Sequence, residues 1–176
     1  MNQLVRLFID IVFHRRGPAD VPAGDGVLGK TLAAYVLIGA MAVTPSTHAV
    51  GELVGQLAVD VAIVFVLFGG LLLVTGRGHR LGQTLTALFG TGAVLSALSV
   101  PCIWVAAQAV DGSSEPGSIV VLSSMMLLVL LLVSILVTAH IVRSAMDWPY
   151  AGGALIAIVH LLVSLEIFRV LFPEAG

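Results

Sequence analysis

The chain has 176 residues, of which 59% are hydrophobic and 10% are charged, and its formal net charge at pH 7 is −2. A soluble domain has about a quarter of its residues charged, and no soluble fold of this length hides so much apolar surface. The net charge near zero leaves no basic face for a nucleic-acid partner, and the single cysteine excludes an internal disulfide framework.

Residues 1–26 are interpreted as a cytoplasmic amphipathic helix followed by a linker. Apolar residues recur there at helical spacing and predict one apolar helical face: Leu4, Leu7, Phe8 and Ile11. A helix of this kind lies in the membrane interface, and the alternative is a helix packed on the rest of the protein. Gly, Pro, Asp and Ala dominate residues 17–26, a composition typical of a linker.

Five long apolar runs fill most of the remaining chain, at residues 27–44, 53–74, 85–107, 119–142 and 151–172. About 20 residues carry an α-helix across a hydrocarbon core of about 30 Å. The runs are continuously apolar instead of alternating, so they predict helices and not barrel strands. Residues 27–176 are therefore predicted to form an all-α, polytopic integral membrane helical bundle of about five transmembrane helices. Because Lys30 lies in the first turn of the first run, the alternative is four spans with that run on the membrane surface.

Seven of the eight Lys and Arg residues fall on one side of the membrane if the spans alternate in direction. They are the predicted membrane-interface anchors: Arg6, Arg15, Arg16, Lys30, Arg77, Arg80 and Arg143. The other side is mainly acidic, with Glu52, Asp111, Glu115 and Glu174. The positive-inside rule then places the N-terminus in the cytoplasm and the C-terminus in the periplasm, as for a multi-pass protein of a bacterial inner membrane. Membrane lipids are the expected partners of the basic residues.

Residues Gly24 to Thr31 match the phosphate-loop pattern G-x-x-x-x-G-K-[ST] letter for letter. That loop binds phosphate when a buried strand delivers it to a helix N-terminus, where backbone N–H groups surround the anion. No strand is predicted before it here, and the helix that follows is predicted to enter lipid. We therefore expect no nucleotide binding, and we expect Lys30 to extend to the cytoplasmic headgroups.

Polar residues inside the spans are the main functional lead, because ionisable side chains in a bilayer are costly and need partners. The second span places three on one helical face, at i, i+4 and i+8, and the fifth span has four more. Together they form the predicted intramembrane polar cluster: Glu52, Gln56, Asp60, His160, Ser164, Glu166 and Arg169. The two spans run in opposite directions, so both sets fall in the outer half of the membrane. Whether the two spans touch does not follow from the sequence.

Three interpretations of this cluster remain open. It is a set of interhelical hydrogen bonds with one ion pair, a proton or small-solute relay on Asp60, His160 and Glu166, or a groove for a partner helix or lipid. No spacing typical of a metal site and no nucleophile–base motif occurs in the chain. We therefore expect no metal, no cofactor and no enzymatic activity.

The segment RLGQTLTALFGTG, from Arg80 to Gly92 and continuing to Pro101, resembles the third-span region of small bacterial Yip-like (Ypt-interacting-protein type) membrane proteins. The five-span layout with a cytoplasmic N-terminus is also similar, and the likeness covers about Arg80 to Phe172. The Asp-Leu-Tyr-Gly-Pro segment of the eukaryotic members is missing, so no functional residue and no GTPase partner is carried over. The resemblance implies a non-enzymatic membrane scaffold or accessory protein.

The function expected from the sequence is a non-enzymatic accessory or scaffold subunit of a larger inner-membrane assembly. Its expected partners are other membrane protein subunits or further copies of the chain. The alternative is a small proton-coupled carrier or channel component that uses Asp60, His160 and Glu166.

Overall fold

The computed structural model describes residues 3–22, 24–46, 49–107 and 117–173. These residues form six helices and no strand: α1 (Gln3–Val12), α2 (Asp25–Val43), α3 (Val50–Val74), α4 (Leu81–Ala107), α5 (Ser118–Met146) and α6 (Tyr150–Leu171). Helices α2 to α6 are each long and apolar enough to cross a membrane. The predicted all-α bundle of membrane type is confirmed. Of the predicted outer acidic residues, Asp111, Glu115 and Glu174 lie outside the described residues.

The first membrane-length helix, α2, packs mainly along α4 and only slightly against its sequence neighbour α3. The Tyr35 ring lies against Gly92, and further along both helices the Trp104 indole donates a hydrogen bond to the Met41 carbonyl at 2.9 Å. From the first contact to the second, the residue numbers rise in both helices, so α2 and α4 are parallel. This packing does not fit the alternative in which α2 lies on the membrane surface.

Helices α3 and α6 touch and run in opposite directions, which answers the question that the sequence leaves open. The Phe172 ring after α6 lies beside Gly55 near the start of α3. The His160 ring, in the middle of α6, lies 5.0 Å from the Phe68 ring, measured between centroids. The middle of α6 therefore lies beside α3.

One turn of α3 is π-helical. Residues Phe65–Gly69 adopt this geometry between the α-helical segments Val50–Val64 and Gly70–Val74. A π turn is rare and occurs frequently at functional sites. Phe68, within the turn, is buried in a core cluster that includes Phe89 of α4.

Helix α1 packs against α4 and α5. Three of its four predicted apolar residues are buried and Leu4 is half-buried. The Phe8 ring lies directly on Gly90, in space that a β-carbon at that position would need. Small residues on α4, Ala87 and Gly90, let α1 approach this closely. These contacts favour the alternative that the sequence left open, a helix packed on the rest of the protein, because α4 and α5 cover the apolar face that lipid was expected to cover.

Two of the predicted interface anchors bind protein. The Arg80 guanidinium donates to the Ala145 carbonyl and to the Asp147 carboxylate, both at 2.9 Å, and Arg77 lies 3.5 Å from the same carboxylate. Asp147 follows α5 in the left-handed conformation, with φ of 51°. These contacts join the loop before α4 to the loop after α5. The prediction that both arginines serve as headgroup anchors stays a prediction.

The remaining five anchors are exposed: Arg6, Arg15, Arg16, Lys30 and Arg143. Three of them make local contacts, in which Arg16 lies 3.7 Å from Asp10, Arg15 lies over the Phe13 ring and Arg143 lies over the Tyr150 ring. Exposed basic side chains of this kind remain free to reach lipid headgroups.

The segment that matches the phosphate-loop pattern is helical from Asp25 onward. The Thr31 hydroxyl donates to the carbonyls of Val27 and Leu28 within its own helix, at 3.0 and 2.9 Å, and Lys30 is exposed. The segment therefore does not adopt the loop conformation in which successive N–H groups surround a phosphate.

Candidate functional site: a polar cavity at the centre of the bundle

A cavity of about 300 Å³ lies at the centre of the bundle, and all five membrane-length helices line it. Its polar side chains are Tyr35 on α2, Asp60 on α3, Ser96 on α4, Ser134 and Thr138 on α5, and His160 and Ser164 on α6. Tyr35, Asp60 and His160 each lie near the middle of their helix. The cavity therefore lies near the middle of the membrane-length helices.

The carboxylate of Asp60 is held by a tyrosine from another helix. The Tyr35 hydroxyl donates to Asp60 Oδ2 at 2.5 Å, a distance typical of a hydroxyl bonded to a carboxylate. A β-carbon at Gly92 would lie 2.8 Å from the Tyr35 ring, so a glycine on α4 allows α2 to bring this hydroxyl to Asp60. The pair therefore depends on the packing of α2, α3 and α4 together.

Helix α6 supplies two polar atoms that lack a protein partner. His160 Nε2 and Ser164 Oγ are buried and make no hydrogen bond. They lie one helical turn apart and both residues line the cavity, where His160 is close enough to Asp60 for electrostatic interaction. A buried polar atom without a partner costs about 1–3 kcal/mol, so such atoms are rare unless a ligand or water satisfies them.

The structure brings three of the seven predicted cluster residues together at the cavity: Asp60, His160 and Ser164. Gln56, one helical turn before Asp60 on α3, is also buried. Its side-chain amide donates to Glu52 Oε1 at 3.1 Å, and neither residue lines the cavity. These two form a separate polar pair nearer the start of α3.

Glu166 and Arg169 do not join the cluster. Their side chains are 68% and 79% exposed, and they lie 3.7 Å apart on the outer surface of α6. Glu166 is six residues from His160, which corresponds to about 240° around an α-helix of 3.6 residues per turn. The predicted ion pair of the fifth span therefore forms between Glu166 and Arg169, but the placement of both residues in the shared cluster, with Glu166 as a relay group, is corrected.

Tyr35 is the functional residue that the sequence interpretation missed. A signal for it exists, because tyrosines of membrane helices are enriched at the interfaces, whereas this one lies in the middle of a predicted span. The hydroxyls of Ser96, Ser134 and Thr138 give no comparable signal. Serine and threonine in a membrane helix commonly bond to their own backbone, as Ser134 does to the Leu131 carbonyl at 2.7 Å.

The donor set of the cavity favours hydrogen bonding and proton exchange. One carboxylate, one imidazole, one phenol and several hydroxyls line it, and the part of the chain that the structure describes holds no group of three or more His, Cys, Asp or Glu residues suited to a metal ion. Carboxylates and imidazoles inside membranes mark proton relays and solute pathways.

No family model matches the chain, and neither the curated proteins nor the solved structures gave a match. The resemblance to Yip-like proteins therefore stays a prediction.

Proposed function

We propose that this protein is a small proton-coupled carrier and that it binds a small polar solute in the central cavity. The observation that carries the proposal is the central cavity with two buried polar atoms, His160 Nε2 and Ser164 Oγ, that no protein group satisfies. In a purely structural hydrogen-bond cluster, most such atoms are paired with each other or with backbone groups.

The size and position of the cavity support the same proposal. About 300 Å³ corresponds to roughly ten water molecules at about 30 Å³ each, which is enough for a small organic solute. Carriers bind their solutes near the bilayer midplane, beside helices whose regular hydrogen bonding is interrupted. The π turn at Phe65–Gly69 is such an interruption. Val64, directly before the turn, and Phe68, within it, line the cavity.

Proton flux in proteoliposomes tests the proposal. The purified protein is reconstituted in liposomes that contain a pH-sensitive dye, a proton gradient is imposed, and a panel of small cationic, neutral and anionic solutes is added outside. We expect at least one solute to dissipate the gradient with the wild type, and we expect Asp60→Asn to reduce that rate at least tenfold.

The matched control is Glu166→Gln, which removes a carboxylate from the same membrane half but outside the cavity. It should retain the wild-type rate. If no solute moves protons through folded wild-type protein, or if Glu166→Gln and Asp60→Asn lower the rate equally, the carrier proposal is wrong.

The second candidate function is an accessory or scaffold subunit, and the exposed Glu166–Arg169 pair favours it. An ion pair on the outer surface of a membrane helix is costly in lipid, so a partner subunit or a second copy would be a favourable cover. The Yip-like resemblance also supports this candidate. Purification in mild detergent followed by mass spectrometry tests it. A partner that copurifies in stoichiometric amount and is lost from the double variant Glu166→Leu, Arg169→Leu would support this candidate. A monomer without a partner would contradict it.

We also propose that the N-terminus lies in the cytoplasm and the C-terminus in the periplasm of a bacterial inner membrane. The Arg80–Asp147 and Arg77–Asp147 contacts support a position of the loops before α4 and after α5 on the same side of the membrane. The side-chain amide of Gln83 donates to the Val21 carbonyl at 3.0 Å, which supports the same side for the N-terminal linker. Basic residues concentrate there. A C-terminal fusion to a phosphatase that is active only in the periplasm should be active, and a fusion at Gly78 should not.

A further inference from the structure

We propose that the cavity takes a small organic cation, such as an amine or a quaternary ammonium ion, in exchange for a proton carried by Asp60 or by His160, which both line it. This inference rests on the proposed function, because it assumes that the cavity is a solute site. It adds the chemical class of the solute and the group at which solute and proton compete.

The charges that line the cavity favour a cation. Asp60 supplies a carboxylate, and no Lys or Arg occurs among the described residues that line the cavity. The arginines of the bundle lie elsewhere, with Arg77 and Arg80 at Asp147 and Arg169 exposed on α6. A carboxylate near the bilayer midplane needs a nearby positive charge or a proton, whereas an anionic solute would bring a second negative charge beside it.

Aromatic rings surround the same space. Tyr35, Phe68 and Phe89 line the cavity, and the rings of Tyr35 and Phe89 lie 5.2 Å apart between centroids. The faces of aromatic rings attract cations, and recognition of quaternary ammonium groups by aromatic side chains is the best-known use of this interaction. A carboxylate with neighbouring rings is therefore a better site for an alkylated cation than for a small hydrated ion.

The groups that face Asp60 limit what can balance its charge. From α2 the Tyr35 hydroxyl donates to it, and from α6 His160 lies within electrostatic reach. The polar groups that α4 and α5 contribute to the cavity are hydroxyls, those of Ser96, Ser134 and Thr138. The positive charge beside Asp60 is consequently either a proton, on its own carboxyl group or on His160, or a bound cation.

This balance produces the exchange. When a cation with one positive charge enters, one proton leaves the Asp60–His160 pair for the solution, and the charge of the cavity is unchanged. When the cation leaves, the pair takes up one proton again. The unpaired Ser164 Oγ and His160 Nε2 remain available for a hydroxyl or amino group on the solute.

Calorimetric titration of the purified full chain in detergent tests the inference with three probes of similar shape. Choline is a permanent cation that carries no exchangeable ammonium proton, neohexanol is its uncharged carbon isostere, and pivalate is a branched anion. Each is titrated in two buffers with different enthalpies of ionisation, so that the proton released on binding is counted. Because choline itself cannot release an ammonium proton, any proton counted comes from the protein.

We expect choline to bind at least tenfold more tightly than neohexanol or pivalate and to release a measurable fraction of one proton. Asp60→Asn should lower the affinity for choline at least tenfold, and Glu166→Gln should leave that affinity unchanged. Because Asp60→Asn could also affect folding, Ala157→Leu provides a second variant, which fills the cavity from α6 without changing a charge. It should likewise lose choline binding, with both variants checked for a monodisperse helical protein.

The inference is overturned if neohexanol or pivalate binds as tightly as choline, if choline binding releases no proton, or if folded Asp60→Asn binds choline like the wild type. Binding of neohexanol that Ala157→Leu removes would leave the solute-binding proposal standing while overturning the cation class. Absence of solute-driven proton flux in liposomes would instead overturn the proposed function itself.

Discussion

The base of the bundle, meaning the contacts of α1 with α4 and of α5 with α6, shares helices α4, α5 and α6 with the central cavity, but the two regions are packed in opposite ways. At the base, Gly90 has no room for a β-carbon beside the Phe8 ring, and Gly153 of α6 has none beside the Ala139 carbonyl of α5. At the centre, α4, α5 and α6 together with α2 and α3 line about 300 Å³ of space. The close contacts at the base hold the helices, and the centre is left open to polar side chains.

The difference shows where stability and function are separated in this small protein. In lipid, helices associate through close backbone approach at small residues and through interhelical hydrogen bonds, since burial of apolar surface gives little advantage there. The base provides those contacts. The cavity holds buried polar atoms without partners, which lowers stability and which only a ligand or water can offset. Substitutions in the two regions should therefore change the free energy of unfolding by amounts that differ in size and in sign.

Loss of the Phe8 ring should have the largest effect. Phe8 is 5% exposed, and Phe8→Ala should lower the free energy of unfolding by about 3 kcal/mol, the low end for a buried ring because lipid can cover the released face of α1. Unfolding in mixed micelles and proteolysis of the N-terminal segment measure it. Phe13→Ala is the control, since Phe13 is 65% exposed. Equal effects of the two variants would show that α1 is not docked.

Gly153→Ala should have the next largest effect. The new methyl group would meet the Ala139 carbonyl and would lie 3.0 Å from Arg143 Cβ, and backbone cannot move aside as a flexible side chain can. We expect a loss of about 2 kcal/mol, typical of overpacking.

The control for Gly153→Ala is Gly70→Ala in α3. Nothing lies near the position of its β-carbon, so alanine should stabilise that helix by about 0.5–1 kcal/mol through its better helix propensity. A thermal unfolding series in detergent separates the two substitutions by sign. Stabilisation by both would mean that α5 and α6 are not in close contact at the base.

Tyr35→Phe should have a smaller effect on stability and a clear one on the site. It removes the hydroxyl that donates to Asp60 at 2.5 Å, and an interhelical hydrogen bond in a membrane protein contributes about 1 kcal/mol. Tyr150→Phe is the matched control, because its hydroxyl makes only a long contact of 3.5 Å with the Leu136 carbonyl. Solute-driven proton flux should fall with Tyr35→Phe alone. Unchanged flux in both would separate Tyr35 from the site.

Ser164→Ala should have the smallest effect on stability, within about 0.5 kcal/mol of the wild type or slightly stabilising, because it removes a buried hydroxyl that has no partner. The same removal at a paired hydroxyl, Thr91→Val, should cost about 0.5 kcal/mol, since Thr91 donates to the Ala87 carbonyl at 2.7 Å. Parallel unfolding curves test the contrast. A loss at Ser164 larger than that at Thr91 would mean that Ser164 is a structural residue.

Part of the candidate site was predictable from the sequence and part was not. Asp60 and His160 stand out in any scan of the spans, because ionisable residues there are rare. The exclusion of Glu166 follows from helical geometry once α6 is oriented by its contact with Phe68 of α3. The Tyr35–Asp60 bond was not predictable, since it requires α2 to pack beside α4 and to face α3, and neither choice leaves a periodic signal in such uniformly apolar runs.

The sequence by itself determined the properties that depend on composition and on one helix at a time. These are the all-α membrane class, the five helices of membrane length and the presence of ionisable residues in the second and fifth. The tertiary structure decided which of those residues meet. The neighbours and the rotation of each helix are set by close contacts such as Tyr35 on Gly92 and Phe8 on Gly90, which join residues far apart in the chain. A polar residue in a membrane helix becomes part of a site only after such contacts have turned it toward its partners.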